Sequence, residues 1–146
     1  MLYYEDFQSG QEFRLGEYTV SREEILDFAR QYDPQPFHID EEQARDSMFG
    51  GLIASGWHTA SICMRLYVDA VLNGAASLGS PGVDELRWKR PVRPGDRLSG
   101  VFRILECRPF RKGVGLVRGR ANLQNQDGKL VMTFVGEGMF ATRPEL

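Results

Sequence analysis

The amino-acid sequence predicts an α+β domain in which one long helix packs against a large antiparallel β-sheet. The first observation is a broad apolar surface on the helix-like segment His58–Gly74, which is typical of a buried helix. The second is the chain after Gly82, which consists almost entirely of strand-like runs. The third is the dipeptide Asp127-Gly128, a hairpin signal between two of these runs. One long helix against one such sheet is a layered α+β architecture.

The N-terminal part is predicted to contain a strand and a capped helix. The run Glu12–Ser21 is rich in β-forming residues, and Ser21 forms an S-x-x-E capping box with Glu24. The apolar face of the helix has i, i+3, i+4 spacing and consists of Ile25, Phe28 and Ala29. We expect the helix to stop at Tyr32-Asp33, because Pro34 disfavours the helical conformation at the preceding residue.

Two more helices are expected before the sheet. The Asp40 carboxylate can cap the amides of a short helix over EEQARDS. The segment FGGLIASGW, residues 49–57, follows and leads into the long helix, which Gly74 closes.

The sheet is predicted to combine the N-terminal strand with four later runs, which are Val83–Val92, Arg97–Arg111, Gly115–Asn125 and Lys129–Arg143. Strict alternation places one set of residues on a common face of the second run: Leu98, Gly100, Phe102 and Ile104. In the third run the corresponding set is Val117, Gly119, Ala121 and Leu123. Such alternation is typical of strands with one buried face.

Length and composition indicate one globular domain over residues 1–146, with 42% apolar and 26% charged residues. The formal charge of −2 argues against nucleic acid as a partner. No 18-residue apolar run predicts a membrane span, and acids occupy the N-terminus where a signal peptide has lysines, so we expect a cytoplasmic location. Cys63 and Cys107 lack metal or redox spacing and are expected to be reduced thiols.

The segment YDPQPFHID, residues 32–40, contains side chains suited to acid–base catalysis directly after a predicted helix. It holds Asp33 and His38, one of only two histidines in the chain, around two prolines. A fully extended segment would hold the two side chains far apart, whereas a turn through Pro34–Pro36 would bring them to one site. A proline-terminated helix followed by an ordinary loop histidine is the simpler interpretation, and the residues alone leave it open.

Asp33-Pro34-Gln35-Pro36-Phe37-His38 resembles the D-x-N-P-x-H signature of the MaoC-like dehydratases, the family of (R)-specific enoyl-CoA hydratases. FGGLIASGW is similar to the family segment that ends in a glycine opening the central helix, and RPVRPGDRL resembles its P-V-x-x-G-D strand entry. The resemblance extends from about Tyr18 to Ala141. Gln35 departs from the family asparagine. The family has the hot-dog fold, a long central helix wrapped by an antiparallel sheet, so the resemblance implies a single hot-dog domain.

The resemblance implies hydration of an enoyl coenzyme A thioester, or dehydration of a 3-hydroxyacyl one. Asp33 and His38 would hold and activate a water molecule, and the backbone N–H of Gly56 would stabilise the enolate oxygen. Substrate-binding residues are expected at Gln35, Phe37, Ser55, Trp57 and His58, although His58 is more typical of a structural histidine inside the long helix. Asp33, His38 and His58 have no metal-ligand spacing, so no metal is expected. No cofactor is expected either, because coenzyme A is part of the substrate.

Two other functions remain open: a hot-dog acyl-CoA thioesterase and a non-catalytic acyl-thioester binding module. The thioesterases commonly place their acid on the central helix, where this chain offers only Asp69, far from Gly56. Two groups of basic residues could bind coenzyme A phosphates or form solvated surface: Arg108, Arg111, Lys112, Arg118 and Arg120 in one, and Arg87, Lys89 and Arg90 in the other. Open sheet edges and the broad apolar helix predict a homodimer or a higher oligomer of dimers, with the substrate between protomers.

Overall fold

The computed structural model describes residues 1–146. In chain order its elements are β1 (Glu12–Thr19), α1 (Arg22–Tyr32), α2 (Pro36–Ile39), α3 (Glu41–Arg45), α4 (Gly56–Ala70), β2 (Gly82–Trp88), β3 (Arg97–Arg111), β4 (Val114–Gln124) and β5 (Leu130–Ala141). Short 3₁₀ turns lie at Tyr4–Asp6 and Leu72–Gly74. Every helix falls short of the length and hydropathy needed to cross a lipid bilayer.

The five strands form one sheet in the order β1-β3-β4-β5-β2, and every neighbouring pair is antiparallel. The hairpin between β4 and β5 turns at Asp127-Gly128, where Gly128 has a φ of +72° that favours glycine. The side-chain oxygen of Asn125 accepts hydrogen bonds from the N–H groups of Asp127 and Lys129. The predicted hairpin is therefore confirmed, and β1 and β2 are the edges of the sheet.

The core lies between α4 and the inner face of the sheet. The alternating residues on β3 and β4 are buried there, among them Leu98, Phe102, Ile104, Ala121 and Leu123. The helix contributes Ile62, Cys63 and Leu66 to the same cluster. Each fully buried aliphatic or aromatic side chain contributes roughly 1.5–3 kcal/mol to stability. The prediction of one buried helix against an antiparallel sheet is confirmed.

The boundaries of α1 follow the sequence signals. The Ser21 hydroxyl oxygen accepts a hydrogen bond from the Glu24 N–H at 3.1 Å, as a helix cap does. The helix ends at Tyr32, and Asp33 leaves the helical region with φ −152° and ψ 66°, as Pro34 predicts. Two residues of the predicted apolar face are buried and one is half-buried: Ile25, Ala29 and Phe28.

Helix α4 is offset from its predicted position. It begins at Gly56, two residues early, because the Ser55 carbonyl already accepts the Thr59 N–H at 3.1 Å. It ends at Ala70, and the chain tightens into the separate turn Leu72–Gly74. Tighter 3₁₀ geometry at a helix end is common and is hard to predict from composition.

β5 spans Leu130–Ala141 instead of Lys129–Arg143, and β1 and β2 also end earlier than predicted. β1 ends at Thr19, because the Val20 N–H instead donates to the loop carbonyl of Asp96 at 2.9 Å. β2 ends at Trp88 instead of Val92. The N–H groups of Lys89 and Arg90 both donate to the Val131 carbonyl, at 2.7 and 3.3 Å, and the proline at 91 has no N–H with which to continue pairing.

Candidate active site

Asp33 and His38 are brought together by a turn. Asp33 directly follows α1, and Pro36 occupies the first position of the one-turn helix α2, where a proline without an N–H is tolerated. His38 Nε2 lies 3.3 Å from Asp33 Oδ2. Asp40 then caps α3 by accepting the N–H groups of its first turn, which confirms the predicted cap. Of the two conformations that the sequence allowed, the turned one is therefore correct.

The orientation of the His38 ring is fixed from the opposite side. His38 is buried, and its Nδ1 lies 2.7 Å from the Ile53 carbonyl oxygen, which can only accept a hydrogen bond. The Ile53 N–H in turn donates to the Phe37 carbonyl at 3.1 Å. A neutral His38 is thus protonated at Nδ1 and presents the lone pair of Nε2 toward Asp33.

Asp33 is ionised at neutral pH. Burial is the largest single effect and raises the pKa of its carboxyl, whereas hydrogen bonding from the Gln35 amide lowers this pKa. The nearby Ser55 hydroxyl and a charge on His38 act with Gln35, so the pKa of Asp33 lies below its ordinary value. The Gln35 Nε2–H donates to Asp33 Oδ1 at 2.7 Å. Glutamine in place of the signature asparagine therefore still reaches the carboxylate.

Asp33 and His38 consequently direct two hydrogen-bond acceptors toward the same small region. Neutral His38 offers the lone pair of Nε2, and ionised Asp33 offers Oδ2. A water molecule can donate one hydrogen to each of them, which orients its oxygen lone pairs away from the pair. The arrangement is suited to general base catalysis on water, with Asp33 stabilising the imidazolium that forms.

Helix α4 directs its N-terminus at the same region. Ser55 precedes Gly56 but its side chain makes no cap, so the first N–H groups of the helix have no intrahelical or capping acceptor. Free N–H groups at a helix N-terminus favour negative charge. A Cβ atom at Gly56 would lie 2.5 Å from Cε2 of Trp88, so the indole packs where only glycine leaves room.

A cleft of about 380 Å³ joins these groups. His38 and Gly56 line it, together with Phe37, Trp88, Lys89 and Arg90. Both a base and a helix N-terminus therefore face one space that is large enough for a thioester group.

Of the other predicted site residues, some lie at the cleft and some lie outside it. Gln35 lies beside Asp33, and Phe37 lines the cleft. Trp57 is 59% exposed, and its ring packs against Trp88 with ring centroids 5.2 Å apart. Ser55 and His58 are buried outside the cleft lining. His58 stacks on Phe28, with ring centroids 4.8 Å apart, and its Nε2 lies 3.4 Å from Glu24 Oε1.

Sequence reasoning missed Trp88 at this site. It lies in the predicted strand before the P-V-x-x-G-D segment, and no local signal shows that this strand passes over Gly56. Lys89 and Arg90 were recognised only as basic residues without a location. Their position on the cleft depends on the pairing of β2 with β5, which a single sequence does not specify.

The two basic groups differ in their partners. On the outer face of the sheet, Arg118 lies 2.9 Å from Asp84 and 3.4 Å from Glu137. Arg108 and Arg120 also lie within 4 Å of acidic side chains. No carboxylate lies within ion-pair distance of the residues in the second group, Arg87, Lys89 and Arg90. Arg111 and Lys112 of the first group also lack such a partner, but Lys89 and Arg90 line the cleft, so unneutralised positive charge lies beside it.

Comparisons with known proteins identify the family of this chain. The family profile described as a MaoC-like domain matches residues 6–125. The uncharacterized protein YdeM of Bacillus subtilis is 32% identical over 133 residues, 91% of this chain and 93% of that protein. An (R)-specific enoyl-CoA hydratase of Rhodospirillum rubrum is 32% identical over 117 residues, 77% of this chain and 76% of that protein.

The crystal structure of a MaoC-like dehydratase from Rhodospirillum rubrum is also similar, with 40% sequence identity and a TM-score of 0.91. The match covers 99% of this chain and 100% of that chain. The hot-dog fold that the resemblance implied is confirmed. A family profile that spans most of the chain, a related hydratase and a superposable dehydratase lead to one conclusion: this chain belongs to the MaoC-like dehydratase family.

Proposed function

We propose that the protein adds water across the double bond of an α,β-unsaturated acyl-coenzyme A and catalyses the reverse dehydration of the 3-hydroxyacyl thioester. The observation that carries the proposal is the 3.3 Å separation of His38 Nε2 and Asp33 Oδ2, with Nδ1 committed to the Ile53 carbonyl. Two acceptors held this close, beside a free helix N-terminus, suit a bound water and a developing enolate.

The proposed reaction balances in atoms and protons. His38 Nε2 takes a proton from the water as the water oxygen bonds to the β carbon of the thioester. The electron pair of the double bond moves to the thioester oxygen, where the Gly56 N–H stabilises the enolate. The proton on His38 then passes to the α carbon, which restores the neutral imidazole. Losing a donor such as this N–H typically raises a barrier by about 3 kcal/mol.

The carrier in this proposal is coenzyme A, whose phosphates require positive charge. Lys89 and Arg90 line the cleft, and with Arg87 they lack acidic partners. Coenzyme A enters as part of the substrate. We propose that no other cofactor and no metal take part.

We further propose that the protein acts as an isologous homodimer or a larger assembly of dimers. β2 is an edge strand whose residues are almost all exposed. Apolar side chains near it are accessible, including Val83 at 56% and Met64 at 47% exposure. An exposed edge with apolar neighbours favours pairing with a second copy.

Hydration of crotonyl-coenzyme A, followed by the loss of its enoyl absorbance, tests the proposed activity. A parallel assay for free thiol distinguishes the other functions. Loss of absorbance without thiol release supports the hydratase. Thiol release would instead indicate a thioesterase, and saturable binding without either change would indicate a binding module.

A further inference from the structure

Three buried side-chain polar atoms of this protein have no hydrogen-bond partner, and they belong to residues at the junction of α1 and α4. They are Glu24 Oε1, His58 Nδ1 and Ser55 Oγ, the last of which lies near the Asp33 carboxylate without well-aligned hydrogen-bond geometry. Leaving such an atom unpaired is unfavourable, so native proteins contain few of them. Their concentration beside the candidate active site calls for a functional explanation.

The Glu24 carboxylate is held from two directions. Its Oε2 accepts hydrogen bonds from the Tyr18 hydroxyl at 3.2 Å and from the Ser21 hydroxyl at 3.4 Å. Its Oε1 faces His58 Nε2 at 3.4 Å, a polar contact without good hydrogen-bond geometry. A fixed carboxylate therefore meets a buried ring across the space between two helices.

His58 is a neutral ring in this setting. Burial lowers the pKa of its imidazole more than the Glu24 charge raises it. The carboxylate favours the tautomer that carries its proton on Nε2, which leaves a lone pair on the unpartnered Nδ1. The ring also stacks on Phe28 with an interplanar angle of 9°.

These contacts join the two helices that supply the candidate catalytic groups. Glu24 and Phe28 lie on α1, whose end presents Asp33. His58 is the third residue of α4, whose first residue is Gly56. A slide or rotation of one helix against the other would change the separation of Asp33 from the Gly56 N–H. Displacements of about 1 Å at a reacting centre can lower a rate by two orders of magnitude.

We propose that Glu24 and His58 form a positioning pair, which sets the distance between the water-binding carboxylate of Asp33 and the N–H of Gly56. The inference rests on the hydratase activity proposed above. Apolar residues of similar shape would satisfy packing at least as well, because replacing both partners of a buried polar pair is often neutral or stabilising. A pair with unpartnered atoms is therefore better explained by orientation than by stability.

The test compares His58→Leu, Glu24→Leu and their double variant with the conservative His58→Gln and Glu24→Gln. In the leucine variants kcat for crotonyl-coenzyme A should fall at least about tenfold while KM stays within about twofold. The melting temperature of the double variant should stay unchanged or rise. The double variant should be no slower than either single one, and the glutamine variants should retain most of the activity.

Asp27→Ala is the matched control, because Asp27 lies on the exposed side of α1 and pairs only with Arg30. It should leave kcat unchanged. A folded His58→Leu protein with wild-type kcat would overturn the proposal. Losses of kcat that multiply in the double variant would overturn it too. Losses of kcat that merely match the fraction of unfolded protein in each variant would also overturn it.

A second readout separates this inference from the proposed function. In ¹⁵N–¹H spectra, Glu24→Leu should shift the Gly56 amide resonance, whereas Asp27→Ala should not. In a His58→Leu background, Glu24→Leu should add no further shift. If the wild-type protein fails to hydrate crotonyl-coenzyme A, the hydratase proposal is wrong, and the Gly56 shift then decides the positioning role. An unmoved Gly56 resonance would refute that role.

Discussion

Replacing Asp33 by asparagine should disable the base through a specific hydrogen bond. Gln35 Nε2–H donates to one oxygen of Asp33 at 2.7 Å, and the other oxygen faces His38 Nε2 at 3.3 Å. An asparagine must turn its amide oxygen toward the Gln35 donor. Its NH₂ group then points at His38 and donates into the lone pair that would accept a proton from water. The substitution both removes the charge and blocks the base.

The size of the effect follows from the role of the pair. General acid–base catalysis contributes about 10²–10⁴-fold, so kcat should fall at least about 100-fold in Asp33→Asn. The fold should be retained, since the two side chains have the same shape. His38→Ala should lose as much activity and should also be less stable by about 1–3 kcal/mol, because the buried Ile53 carbonyl loses its donor.

The assay is hydration of crotonyl-coenzyme A by each single variant and by the double variant, with melting temperatures measured in parallel. Residues that act on one water are non-additive, so the double variant should be little slower than the slower single variant. Asp27→Asn provides the control, because it makes the same chemical change at an exposed site on α1. If the losses of kcat in the two single variants multiply in the double variant, the two residues do not act on one water molecule. If Asp33→Asn keeps wild-type activity, the Asp33–His38 pair is not the general base.

Three further outcomes are expected. Gly56→Ala should lower both stability and kcat, because its Cβ would lie 2.5 Å from the Trp88 indole, and Trp88→Ala in the same chain should restore stability. Lys89→Glu should raise KM for crotonyl-coenzyme A by about fivefold but leave KM for a crotonyl pantetheine thioester unchanged, since the latter lacks the nucleotide phosphates. Because the pKa of Asp33 is lowered in the folded protein, its stabilising contribution is present above an unfolded pKa of about 3.9 and is lost as pH falls through the folded value. The difference in stability between the wild type and Asp33→Asn should therefore stay constant above about pH 4 and shrink below it, and a difference that does not change with pH would contradict this reasoning.

The fold was largely predictable because its signals are local. Alternation along β3 and β4 defines their buried faces, Asp127-Gly128 defines a turn, and Ser21 and Pro34 define the ends of α1. The errors lie where a distant segment competes for a hydrogen bond. β2 stops at Trp88 because two consecutive N–H groups share the carbonyl of Val131, more than forty residues along the chain. No pattern within the strand contains that information.

The candidate site divides in the same way. Asp33 and His38 were identified from residue types and spacing within one short segment. Whether they meet depends on the Ile53 carbonyl, fifteen residues away, which fixes the His38 ring. Glu24 was recognised only as a capping residue, although its carboxylate also faces His58 across the helix junction. The capping box alone accounts for a glutamate at position 24, so the sequence gives no sign of its contact with His58.

Gln35 shows how local and distant constraints combine. Its backbone N–H donates to the Asp33 carbonyl at 2.8 Å, which folds the proline segment back on itself. That fold places the side chain beside Asp33, so the extra methylene of glutamine relative to asparagine is accommodated and the amide still donates at 2.7 Å. The donor fixes which carboxylate oxygen is left for His38. Gln35 therefore departs from the family signature but still hydrogen-bonds to the Asp33 carboxylate, because the turn of the segment places its side chain there.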